Sequence, residues 1–111
     1  MRSIVLAVLA ALALAACSAA RPLDLSSARG FCNTGSIGDA DDEGMACKEQ
    51  IGICGRFFDP LAAGVKDEAE CLARCKAADD SLFHVYAADP CREAVKLGRS
   101  YCEQYCRGNY P

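Results

Sequence analysis

Nine cysteines dominate the chemistry available to this 111-residue chain. Eight of them lie beyond position 30: Cys32, Cys47, Cys54, Cys71, Cys75, Cys91, Cys102 and Cys106. An even set in a short domain outside the cytosol reads as a disulfide framework. Redox catalysis of the thioredoxin kind needs C-x-x-C, in which the second thiol resolves the first, and covalent haem needs C-x-x-C-H. Neither spacing occurs. Cys71-x₃-Cys75 and Cys102-x₃-Cys106 could together offer four thiolates to zinc, but an oxidising compartment favours disulfides.

The remaining chemistry is sparse. His84 is the single histidine, set in Phe83-His84-Val85, and nothing marks a serine or cysteine as its nucleophilic partner. Asp39-Ala40-Asp41-Asp42-Glu43-Gly44 resembles the start of an EF-hand loop. Its fifth position is Glu and its twelfth is Gln50 instead of Glu, so a solvated acidic loop is expected. Arg56, Phe57 and Phe58 form a possible partner-binding turn, although Phe in so small a domain is more often core. No catalytic residue, metal ligand or cofactor is expected.

Helices must position the cysteines. A short helix from Asp42 would put Cys47, Ile51 and Cys54 on one face, with Gly55 as a stop and Arg56 to Pro60 as a turn leading out. Asp67 can cap the next helix, with Glu70 as the other half of a capping box. Cys71, Leu72, Cys75 and Ala78 share its inner side, and Asp79-Asp80-Ser81 is expected to end it. Residues 82–86 suit strand or helix equally. The last helix is the best marked: Asp89 as N-cap, Pro90 at the first position, and Gly108 at the end. Along it Cys91, Val95, Gly98, Cys102 and Cys106 recur at steps of 4, 3, 4 and 4, one continuous face.

Two helices packed antiparallel would bring Cys71 opposite Cys106 and Cys75 opposite Cys102, because both steps are four residues. That leaves Cys32, Cys47, Cys54 and Cys91 to join the N-terminal segment to the hairpin. If helical, Cys47 and Cys54 are about 10 Å apart, too far to bridge each other. The paired CX3C segments resemble helical-hairpin cystine scaffolds such as plant hairpin antimicrobial peptides and mitochondrial coiled-coil-helix proteins. That resemblance covers only residues 71–106, and the 26-residue gap and Cys91 depart from it. Cys47-x₆-Cys54-Gly55 to Cys71-x₃-Cys75 is similar to Kazal-type inhibitors, but its 16-residue gap is too long and lacks the expected Tyr and Asn.

The N-terminus supplies an address. After Met1-Arg2-Ser3, an uninterrupted apolar run of 13 residues reaches Ala16, too short for an ordinary membrane-spanning helix and suited to a signal peptide. Leu14-Ala15-Ala16-Cys17 resembles the lipobox of bacterial lipoproteins. The resemblance implies cleavage before Cys17, a diacylglycerol on its sulfur and acylation of its amine, palmitate among the chains. One acyl chain holds a protein marginally, at about 0.8 kcal/mol per buried CH₂, whereas two or three hold it stably. Ser18 in place of Asp points, by the same resemblance, to the outer membrane over the inner one.

The division expected is therefore a signal peptide over 1–16, a lipidated tether over 17–30 and a cysteine-rich domain over 31–111. Its fold class is mainly α, a small disulfide-rich domain with a CX3C/CX3C helical hairpin. The net charge of −3 becomes −4 once Arg2 is set aside, with no Lys/Arg cluster, which speaks against nucleic acid as a partner. The expected partners are membrane lipid, through acylated Cys17, and an envelope protein. The role expected is structural or binding at the cell envelope, without catalysis; the alternative is a secreted protease inhibitor or toxin-like peptide.

Overall fold

Asp24 opens the domain: its extended backbone lets the carboxylate accept from the Ser27 amide at 2.7 Å, an N-cap for helix α1, Leu25–Thr34. The computed structural model describes residues 3–8, 22–35, 47–87 and 90–110. Three more helices follow: α2, Gln50–Ala62; α3, Glu68–Val85; and α4, Pro90–Asn109. Residues 3–8 are also helical, and the described residues contain no strand. The fold is a small, mainly helical, disulfide-rich domain built around the expected CX3C hairpin.

Helix α1 occupies residues expected to be tether and loop. It buries Ala28 and Cys32 and packs Leu25 against the core, a stripe at steps of three and four confined to one short helix. Contacts with α4 add to it. Phe31 stacks on Tyr101 of α4 with ring centroids 5.8 Å apart, and a Cβ at Gly35 would stand 2.3 Å from Leu97 Cδ2.

Helix α2 corrects a second expectation. It starts at Gln50, runs through Gly55 and absorbs the supposed turn from Arg56 to Pro60. Its buried stripe is Ile53, Cys54, Phe57, Phe58 and Leu61, while Ile51 faces outward at 71% exposure. A mid-helix glycine costs roughly 1 kcal/mol against Ala, less than the burial of even one such Phe contributes. Pro60 lacks the amide that would bond back to Arg56, and sits where the helix is about to end.

Helix α3 is capped as expected: Asp67 accepts from the Glu70 amide at 2.8 Å. The reciprocal bond shifts by one residue, with Glu70 Oε2 accepting from the Lys66 amide at 2.6 Å. The helix continues through Asp79-Asp80-Ser81 to Val85 because Leu82 is buried on the face that carries Cys71 and Cys75. The two aspartates are paired instead of breaking the helix, Asp80 with Lys76 and Asp79 with Arg99.

Helix α4 turns Cys91, Ala94, Val95, Cys102, Tyr105 and Cys106 inward. It ends at Asn109, one residue beyond Gly108. Asp89 lies outside the described residues. Each helix runs antiparallel to the next, and α4 packs against the other three, while α1 and α3 stand at opposite corners out of contact. Across the short diagonal, a Cβ at Gly98 would lie 2.5 Å from Phe57 Cδ2, so the absence of a side chain there is what lets α2 reach α4.

Candidate functional site

Four disulfides join these helices. Cys71–Cys106 and Cys75–Cys102 are adjacent rungs between α3 and α4, with Cα–Cα distances of 5.6 and 5.8 Å, the pairing that equal four-residue steps on antiparallel helices produce. Cys47–Cys91 ties the turn before α2 to the first turn of α4, at a Cα–Cα distance of 4.9 Å. Of the four cysteines outside the rungs only Cys91 belongs to the hairpin, so Cys47–Cys91 is the bridge to it and Cys32–Cys54 joins α1 to α2 within the N-terminal half. That second pairing follows from α1, unforeseen as a helix, lying along α2.

Three pairs are fully buried; Cys47 and Cys91 alone among these eight retain exposure, 7% and 6%. The sulfurs of Cys75, Cys102 and Cys106 cluster, with Cys75 Sγ 3.6 Å from Cys106 Sγ. All three belong to disulfides, whereas zinc binds the thiolate. Beside the fourth pair, Glu49 places Oε2 3.2 Å from Cys91 Sγ and 3.9 Å from Cys47 Sγ. A bonded sulfur has no proton to donate, so in the oxidised protein this is a carboxylate packed against a disulfide.

Phe57 and Phe58 are fully buried, which removes them from any partner surface and corrects that expectation. They are core because Arg56 to Pro60 is helix. Arg56 is exposed and donates to Ser81 Oγ at 3.3 Å. His84 is exposed on the last turn of α3, its ring edge-on to Phe83 at 5.9 Å. Gln50, the twelfth position of the acidic motif, donates through Nε2 to the carbonyls of Cys32 and Gly35 at 2.8 and 2.9 Å. It thereby satisfies free carbonyls at the end of α1. The acidic residues 39–44 and Cys17 lie outside the described residues.

An open groove between α3 and α4 is lined by Asp79, Phe83, Lys96, Arg99, Ser100 and Glu103. Its charges are mostly spent on one another. Arg99 donates to Glu103 and to Asp79, and these two hydrogen bonds, that to Glu103 foremost, push its pKa up. Arg92 lies over the Phe83 ring at 5.6 Å.

Sequence reasoning missed the apolar residues left in water at one end of the bundle. Ile51 opens α2, and Phe83 (44% exposed) and Val85 (69%) close α3. The antiparallel helices put these at the same end as Cys47–Cys91. The spacing from Cys47 places Ile51 on the buried face only if Cys47 is helical, and Cys47 lies outside the helix. Among the described residues no helix is long and apolar enough to cross a membrane. No protein-family model, curated protein or solved structure matches this chain.

Proposed function

We propose that the chain is the precursor of a small bacterial lipoprotein, anchored at the cell envelope through lipid on Cys17, with a structural or binding role and no catalysis. The observation that carries this reading is Leu14-Ala15-Ala16-Cys17 at the end of a 13-residue apolar run. Cysteine accounting supports export: the other eight cysteines pair among themselves, an even set that cleavage before Cys17 and cleavage after Ala20 leave alike.

The start of the bundle gives the anchor a geometry. Leu23 O accepts from Asn109 Nδ2 at 2.7 Å, and Pro22 lies beside Gly108. Pro22 follows Cys17 at the fifth position, at most about 18 Å of chain. An anchored protein would therefore hold the Pro22–Asn109 end against the headgroups. The opposite end, with Ile51, Phe83 and Val85, would point away from the bilayer, where a partner protein could meet it.

The test is the intact mass of protein purified from its native membrane, alkylated before and after reduction. Residues 17–111 plus acyl chains are expected, with eight alkyl additions after reduction and none before. Cys17→Ser should move the protein out of the membrane fraction. An unlipidated chain beginning near Arg21 would overturn the anchor and support the secreted alternative.

A further inference from the structure

We propose that the Cys47–Cys91 disulfide is a reducible lock on a metal site, and that its reduced form binds one zinc-class divalent cation through both thiolates and Glu49. The three ligand groups converge from two elements: Cys47 and Glu49 from the turn before α2, and Cys91 from the first turn of α4. Their ligand atoms all lie within 4.8 Å of one another. Tetrahedral zinc, with Zn–S of about 2.3 Å and Zn–O of about 2.1 Å, needs ligand atoms spaced by roughly 3.4–3.8 Å. Glu49 Oε2 stands 3.2 and 3.9 Å from the two sulfurs, just inside and just outside that spacing. The sulfurs must also part, and Cys47 lies outside any helix, its carbonyl accepting from the Gln50 amide at 3.3 Å, so rotation of its side chain is the smallest change that separates them.

Access and leaving-group chemistry single out this pair. The other six cysteines are fully buried and link helix to helix. Cys91 is the second residue of a 20-residue helix, where aligned amide dipoles stabilise a thiolate and make it the better leaving group. A dithiol reductant attacks Cys47 Sγ through one thiolate, breaking the Cys47–Cys91 bond and releasing the Cys91 thiolate. Its second thiol then resolves the mixed disulfide, so the reductant leaves as a disulfide and the protein gains two electrons and two protons. Binding of the cation displaces those two protons. Two thiolates and a carboxylate leave the fourth position to water, a set that suits zinc over magnesium or calcium.

The test uses the full mature chain under limiting reductant, with alkylation and peptide mapping, followed by titration with Co²⁺ alone and then Zn²⁺. Cys47 and Cys91 should be labelled first, with the other six protected. The partly reduced protein should bind one Co²⁺ with thiolate-to-metal charge-transfer absorption that Zn²⁺ abolishes. Glu49→Gln alters an exposed side chain that makes no capping hydrogen bond, so the fold should survive while affinity falls on the order of 10–100-fold. Prior reduction of another pair, no cobalt spectrum, or equal affinity in Glu49→Gln would each overturn the proposal.

Discussion

Gly98 and Phe57 carry a close approach of α2 and α4, and they illustrate how much a single hydrogen can decide. A methyl at position 98 would fall 2.5 and 2.6 Å from two carbons of the Phe57 ring, itself fully buried and unable to retreat into solvent. Gly98→Ala gains helix propensity but overpacks the core, and the second effect is larger. A loss of about 1–3 kcal/mol is expected, read as a lower denaturant midpoint at unchanged slope. At this scale, local signals were legible and distant ones were not. The Asp67–Glu70 cap could be read because its partners are three residues apart. The burial of Phe57 could not, because what faces it is Gly98, some 40 residues away along the chain.

Helices α3 and α4 were the elements best marked in the sequence, since each carries its cysteines at helical spacing and a recognisable start. Removing one rung, by Cys71→Ser with Cys106→Ser, should cost about 2–5 kcal/mol in thermal or denaturant unfolding, with the remaining rung keeping the register. The start of α3 also responds to pH. The Lys66 amide, and then the Arg74 guanidinium, hold the Glu70 carboxyl below its ordinary value. A depressed pKa contributes stability above the unfolded-state value and loses it as pH falls through the folded one. The stability difference between the native protein and Glu70→Gln should therefore shrink on acidification below the ordinary glutamate range, measured by unfolding at neutral and acid pH. Helices α1 and α2 were poorly legible for opposite reasons. The first has a stripe of only three inward residues, Leu25, Ala28 and Cys32, on an otherwise polar segment, and the second contains Gly55 and Pro60, which argue locally for an end that tertiary burial overrides.

Within the molecule as a whole, few large apolar side chains are buried among the described residues: Ile53, Phe57, Phe58, Leu61, Leu82, Val95 and Tyr105 stand among cysteines and alanines. A core of that size cannot hold four helices without covalent help. Complete reduction should abolish the helical signal at 222 nm and the cooperative transition, whereas opening Cys47–Cys91 alone should leave both. The composition of the domain, its helical hairpin and the resemblance of Leu14-Ala15-Ala16-Cys17 to a lipobox are legible along the chain, because they rest on neighbours within a turn or two. Packing in three dimensions settles that α1 exists as a packed helix, that Cys32 takes Cys54 and Cys47 takes Cys91, and that Glu49 meets that last disulfide. Those outcomes depend on which faces remain to be buried once the hairpin has formed, and no local spacing encodes that.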